Sequence, residues 1–254
     1  MFVACSTVCF TREPLESALR HIAELEFGKI DLAIFEDSPH LKPSEAAENQ
    51  EATIHRVRYG PSLTPSGLNL DFGDVDAKTY RKRFEAMCRL AKPLTVAVLT
   101  IPAAKLGTPF DDEVARLREL ATFAQKEGLV LSLETHSETL TAEPAQAVAL
   151  CKAVKGLGLT LDPSHYVMAP NANKPFDEVY PYVQNIHLRD TGKKPGEFQV
   201  KVGQGEVEYG RIVSQLERHG YNRSLTVAIR DDIENPFDVE VEVRKLKLLL
   251  ESLL

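Results

Sequence analysis

Short β-rich runs alternate with amphipathic stretches along the whole chain, and this alternation limits the fold more than any other feature. A strand, a helix and a second strand in succession make a parallel pair through a right-handed crossover. The β-rich runs cover residues 2–7, 29–35, 94–101, 129–134, 157–162, 183–188 and 224–229, with one more expected near residues 57–63. The first helical stretch follows Pro14, has Leu15, Ala18, Leu19, Ile22 and Leu25 on one stripe, and stops at Gly28. Further helical stretches cover residues 43–53, 76–91, 111–127, 144–154, 209–219 and 237–253. Residues 59–76 are rich in Gly, Pro, Ser and Asp and read as a long loop, which in a compact domain is usually functional. Strand–helix units in this number close into a (β/α)₈ barrel more naturally than they spread into an open sheet, and such a barrel takes about 250 residues. The chain has 254, with no linker or low-complexity tract, so a single barrel domain over residues 1–254 is expected.

Composition narrows the partners. Hydrophobic residues make up 43% of the chain, enough for the core of such a barrel. A protein that grips nucleic-acid phosphates shows a basic face, whereas this chain carries a formal net charge of −7. Its basic clusters, residues 81–83 and 244–247, fall on predicted helices among acidic and apolar residues and read as solvated faces. The apolar N-terminus is short and no basic segment precedes it, so it reads as a first strand and not as a signal peptide. No run approaches the ~18 apolar residues of a membrane span. Cys5, Cys9, Cys88 and Cys151 lack metal-type pair spacing and read as reduced core thiols. A cytoplasmic protein with neither a nucleic-acid nor a membrane partner is expected.

In a barrel enzyme the working groups sit at the C-terminal ends of several strands. Here the fifth run ends in Leu133-Glu134-Thr135-His136, the sixth in Leu161-Asp162-Pro163-Ser164-His165, and the seventh in Ile186-His187-Leu188-Arg189-Asp190. Alternation along a strand puts Glu134 and His136 on one face and His187 and Arg189 on one face, opposite the apolar Leu133, Ile186 and Leu188. Glu134, Asp162 and His187 would then point into the barrel mouth as two oxygen donors and one nitrogen donor, a mixture suited to Mn²⁺, Fe²⁺, Zn²⁺ or Co²⁺. Each residue alone is more often a strand-end polar group bonded to backbone; three successive strand ends together point to a site. Neither a serine-nucleophile elbow nor a glycine-rich phosphate loop after the first strand is present.

These segments resemble the xylose isomerase-like superfamily, whose members include D-tagatose 3-epimerase and, more distantly, endonuclease IV. LSLETH, LTLDPSHY, NIHLRD and VGQGEVEYGRIVSQLERHGY carry the resemblance, and LTLDPSHY is the most specific of them. GKIDL is similar to the second-strand segment, where members often carry Glu and this chain has Asp31, and His40-Leu41 is similar to the histidine that follows it. The resemblance implies that Glu134, Asp162 and His187 ligate a divalent metal (Mn, Zn, Co or Mg) and that His165 and Arg189 meet the substrate. His136 and His40 are further substrate-side candidates. Many relatives dimerise, so a homodimer is compatible with the resemblance.

One departure stands out. The family draws a fourth ligand, a glutamate, from the eighth strand, where this chain has Ala228. Three protein ligands would hold the ion weakly, and epimerisation by two carboxylates loses a partner. Arg230 shares the parity of Ala228; it would either lie above the gap, binding a substrate carboxylate or phosphate, or pair with Asp231 or Asp232 at the surface. The expected function is a metal-assisted isomerase, epimerase or related lyase acting on a small polyhydroxylated sugar or sugar phosphate, with Glu134 moving the proton. The alternative is a non-catalytic descendant that binds a sugar-like ligand.

Overall fold

The computed structural model describes residues 1–168 and 174–254. Eight parallel strands, β1 (Phe2–Ser6), β2 (Lys29–Phe35), β3 (Thr64–Asp71), β4 (Val98–Pro102), β5 (Val130–Glu134), β6 (Gly158–Leu161), β7 (Val183–Leu188) and β8 (Ser224–Val227), follow one another around a closed barrel. β8 closes on β1 through the register Phe2–Ser224 to Cys5–Val227. Helices α1 (Leu15–Glu24), α2 (Pro43–Glu48), α3 (Gln50–Arg58), α4 (Ala77–Ala91), α5 (Phe110–Lys126), α6 (Pro144–Ala153), α7 (Ser164–Val167), α8 (Tyr209–Arg218) and α9 (Val239–Glu251) lie between and after the strands. The barrel architecture read from the alternation is the one observed. No helix among the described residues is long and apolar enough to cross a membrane.

Strand alternation divides the barrel into two chemistries. Leu131, Leu133, Leu159, Leu161, Ile186, Leu188, Leu225 and Val227 belong to the buried apolar core. Polar residues intervene, and several of them bond to one another inside the barrel. Thr160 Oγ1 meets Thr100 Oγ1 at 2.7 Å and donates to Ser132 Oγ at 2.9 Å. Asn185 donates to Asp31 Oδ2 at 3.1 Å and accepts from Ser224 Oγ at 3.1 Å. A barrel filled this way has its floor made of hydrogen bonds, which suits polar groups stacked above it.

Three elements differ from the sequence expectation. The third strand is not at residues 57–63: α3 runs through Arg58, and β3 occupies Thr64–Asp71, inside the stretch expected to be loop. Its Pro65 lies near the strand start, where a missing N–H is tolerated. Its Gly67 faces Asp31 so closely that a Cβ there would sit 2.3 Å from Asp31 Oδ2. Tertiary pairing with β2, with a register shift between Ile30 and Asp31, overrides the local turn signal of Pro and Gly. The helix expected over residues 43–53 is two helices, broken at Asn49, whose side chain caps Ala52 N. β4 begins at Val98, four residues later than expected, after Thr95 in the left-handed region at φ 58°.

Candidate functional site

The C-terminal ends of β5, β6 and β7 bring Glu134, Asp162, His187 and Arg189 to the barrel mouth, on the polar face that alternation assigns them. Asn185, His187 and Arg189 share one face of β7. Asn185 closes the floor, His187 sits above it, and Arg189 lies just past the strand end. On the neighbouring strand His187 is in register with Thr226, and Ala228 N donates to Leu188 O at 2.9 Å, so Ala228 follows β8 directly beside Arg189.

His187 is held between two carboxyl groups. Its Nδ1 lies 3.0 Å from Glu134 Oε1 and its Nε2 lies 3.6 Å from Asp31 Oδ1. Burial opposes a charge on His187, but Asp31 and Glu134 outweigh it and hold the imidazole well above the usual histidine range. Burial would likewise raise Glu134, and the His187 contact overrides it, keeping this carboxyl below the usual carboxylate range. Glu134 and His187 are therefore an ion pair at neutral pH, with the Glu134 side chain 21% exposed towards the mouth. Asp31 Oδ1 and Thr226 Oγ1 are buried without a hydrogen-bond partner among the described residues.

Asp162 belongs to a second pair. Its Oδ1 accepts from Ser164 N at 3.0 Å and from the Ser164 hydroxyl at 2.5 Å. Its Oδ2 faces Arg189 Nη2 at 2.8 Å, an ion contact without hydrogen-bond alignment. Arg189 also donates through Nε to Ala228 O at 2.9 Å and through Nη1 to Ser164 Oγ at 3.1 Å, and its guanidinium lies 4.5 Å from the centre of the Phe198 ring. Both side chains are almost fully buried.

His165 lies between His136, at 4.1 Å between ring centres, and Phe198, at 5.1 Å, with both ring pairs tilted. Its Nδ1 accepts from Ser137 N at 3.3 Å and lies 3.2 Å from Ser137 Oγ. A backbone N–H can only donate, so the neutral ring carries its proton on Nε2, which lies 3.9 Å from Asp162 Oδ2. Burial pushes the His165 pKa down to about 4, against the pull of Asp162 and with help from His136 and Arg189. At neutral pH the ring is an uncharged hydrogen-bond donor.

Two expected substrate-side residues are engaged by other groups of the chain. His40 is buried, with Nε2 2.8 Å from Glu13 O and 3.0 Å from Phe10 O, and so fastens the loop between β1 and α1. Arg230 follows the second of its two readings: it pairs with Asp232 through Nε at 2.9 Å, while Gln199 Oε1 accepts from its backbone N. The strand ends at Val227, and strict alternation no longer governs a residue three positions on. His136 stays beside the site through its contact with His165, its Nδ1 accepting from Glu138 N at 3.1 Å.

A divalent ion needs several oxygen or nitrogen donors turned to one point. Here Asp162 is committed to Ser164 and Arg189, His187 faces Glu134 as a cation, and Ala228 brings no carboxylate. Among the described residues no group of three or more His, Cys, Asp or Glu side chains is arranged to hold a metal. The expected set of Glu134, Asp162 and His187 does not fit a metal in this arrangement, because Arg189 and Ser164 hold the oxygens that Asp162 would have to offer.

The family model described as xylose isomerase-like TIM barrel matches residues 19–249. The chain belongs to this family. No curated protein matches it. Among solved structures, this xylose isomerase-like barrel is similar to a D-tagatose 3-epimerase-like protein at 19% identity and a TM-score of 0.75, over 100% of this chain and 98% of that one. It is similar to the probable 3-DHS dehydratase AsbF of petrobactin synthesis from Bacillus anthracis at 16% identity and a TM-score of 0.74, over 99% of each chain. A xylose isomerase-like TIM barrel protein from Mycobacterium smegmatis, solved in complex with magnesium, is 19% identical with a TM-score of 0.74, over 99% of this chain and 97% of that one. At these identities the likeness is one of fold.

Several residues of the site carry no motif of their own. Asn185 and Ser164 are visible in the sequence only through parity and adjacency, and Phe198 comes from a polar loop that no pattern ties to the mouth. Asp190 organises that loop: its Oδ2 accepts from Gly203 N at 2.7 Å and Gly205 N at 3.0 Å, and its Oδ1 from Thr191 N at 3.0 Å. A Cβ on Gly205 would sit 2.0 Å from Asp190 Oδ1, so only glycine lets the loop close this tightly.

Proposed function

We propose that this chain is an isomerase, or a related lyase, that moves a proton at the carbon beside a carbonyl of a small polyhydroxylated substrate. The observation that carries the reading is the chemistry of three successive strand ends: an ionised carboxylate (Glu134), a neutral imidazole (His165) and a guanidinium (Arg189). Glu134 is bonded through Oε1 to His187, which leaves Oε2 for the substrate proton. As that proton leaves carbon, its electron pair passes to the carbonyl oxygen, and donors aimed at this oxygen stabilise the charge that develops. His165 Nε2–H and Arg189 supply such donors, and a neutral imidazole gives up no affinity to a second positive charge. Return of the proton from Glu134 to the former carbonyl carbon, with the neighbouring hydroxyl proton passing to the former carbonyl oxygen, completes an isomerisation. Alternatively the enolate electron pair returns to form a carbon–carbon double bond, the hydroxyl on the next carbon is expelled, and it takes the proton from Glu134 and leaves as water, which completes a dehydration.

Ala228 narrows the class. An epimerisation that takes a proton from one face and returns it to the other uses two carriers, and Ala228 stands where the second carboxylate would be. A single carboxylate serves a proton transfer on one face. The solved neighbours described as a D-tagatose 3-epimerase-like protein and a probable dehydratase support a sugar-like or polyhydroxylated substrate without naming it.

The test is deuterium wash-in from heavy water into a panel of aldoses, ketoses and their phosphates, followed by NMR. Exchange catalysed by the wild type and lost in Glu134→Gln is expected. If the wild type catalyses no exchange while a sugar raises its melting temperature, the chain is the non-catalytic binder that the Ala228 departure also allows. If neither is seen, the polyhydroxylated-substrate reading is wrong.

A further inference from the structure

Arg189 is the cation that faces Asp162. Its Nη2 is 2.8 Å from Asp162 Oδ2, its Nη1 donates to Ser164 Oγ, and its Nε donates to the carbonyl of Ala228. Ala228, which brings no carboxylate to the mouth, thus contributes its backbone oxygen to hold a guanidinium. The Phe198 ring covers one face of that group. A guanidinium has five N–H bonds in a rigid fork. Nε and Nη1 each donate one, to Ala228 O and Ser164 Oγ; Nη2 faces Asp162 as an ion contact, and the remaining N–H bonds have no hydrogen-bond partner among the described residues. A buried, clamped guanidinium with donors to spare can take two neighbouring substrate oxygens in a bidentate contact, which is what vicinal oxygens offer to a metal ion.

We propose that Arg189 replaces the divalent ion of this fold, so that the chain binds its polyhydroxylated substrate without a metal. The loss of a carboxylate at position 228 and the placement of Arg189 beside Asp162 are then one compensated change. The site exchanges a carboxylate-bound ion for a side-chain cation. The substrate half of this inference rests on the proposed function; the exclusion of metal does not.

The experiment titrates the full chain with Mn²⁺ by calorimetry and by electron paramagnetic resonance. The wild type is expected to take up no stoichiometric Mn²⁺ at millimolar concentration. Ala228→Glu alone should take up none either, because the new carboxylate would meet Arg189. The double variant Arg189→Met with Ala228→Glu is expected to bind one equivalent. Stoichiometric uptake by the wild type that is abolished in Asp162→Asn would overturn the proposal. So would a double variant that melts cooperatively yet binds nothing, because Arg189 would then not be what excludes the ion. Where the double variant does not fold, the wild-type titration decides. In a parallel arm, any sugar-induced rise in melting temperature should survive excess EDTA, and its loss in EDTA also refutes the proposal. A panel in which no sugar binds removes the proposed function and leaves the Mn²⁺ result standing.

Discussion

Acid should cost this protein stability through His165 in particular. The ring is almost fully buried, between His136 at 4.1 Å and Phe198 at 5.1 Å, and burial keeps it uncharged down to about pH 4, against an ordinary value of 6.5. In the unfolded chain it takes up its proton near 6.5. Between these two values the unfolded state binds more protons than the folded one, so stability falls as pH drops through this window. At about 1.4 kcal/mol per pH unit, the full window is worth roughly 3 kcal/mol. The assay is guanidinium chloride unfolding at closely spaced pH values from 7 to 4, on the wild type and on His165→Gln. The substitution lowers stability at every pH; only the slope is informative. The wild type should lose roughly 3 kcal/mol more than the variant across the window. Carboxylates that also titrate here are common to both proteins and cancel in the difference. Parallel slopes, or an NMR titration in which the His165 ring gains its proton near 6.5, would refute the burial argument. They would also remove the neutral donor from the proposed chemistry.

Three other outcomes follow from contacts away from that ring. Asn185→Leu keeps the volume but strips donors and acceptors from Asp31 and Ser224, and should cost about 3 kcal/mol in denaturant unfolding, since each orphaned buried group costs about 1–3 kcal/mol. Gly205→Ala drives a Cβ into Asp190 and should destabilise by about 1–3 kcal/mol, with limited proteolysis cutting faster within residues 191–206. Arg230→Gln removes only a part-exposed pair with Asp232, so stability should shift by less than about 1 kcal/mol and sugar binding in the thermal-shift panel should be unchanged.

The barrel was legible because each strand–helix unit is a local pattern, and so was the mouth, because Glu134, Asp162 and His187 end successive strands. β3 was hidden because Pro65 and Gly67 mark turns in local chemistry. Only the neighbouring strand reveals that Gly67 makes room for Asp31. Parity correctly assigned Arg189 to the face of His187, but a face does not say which of its residues meet. The pairing of Arg189 with Asp162 spans two strands and depends on Ser164 and on the carbonyl of Ala228, which no sequence period encodes. Arg230 shows another limit: past Val227 alternation does not choose between its two readings, and the neighbouring Asp232 takes the guanidinium. His40 shows a third, since a histidine in a loop at the mouth is free to turn into backbone carbonyls and does so.

The charges at the mouth explain why an ion and Arg189 compete. Glu134 shares His187 with Asp31, at 3.0 Å and 3.6 Å, and Asp162 faces Arg189 at 2.8 Å, so both expected carboxylate ligands already face a cation. A divalent ion would have to displace one of these cations before it could use either carboxylate. Breaking a buried pair by removing one partner typically costs about 3–5 kcal/mol. Arg189 cannot swing away cheaply, because Ser164 and Ala228 hold two of its other nitrogens. His187 could give up its proton to become a ligand, but Asp31 and Glu134 on either side both favour keeping it. The His187 contact that disfavours a metal also keeps Glu134 ionised, and burial keeps His165 neutral. The carboxylate and the donor required for proton transfer are therefore set by pairing and by burial, before any substrate arrives.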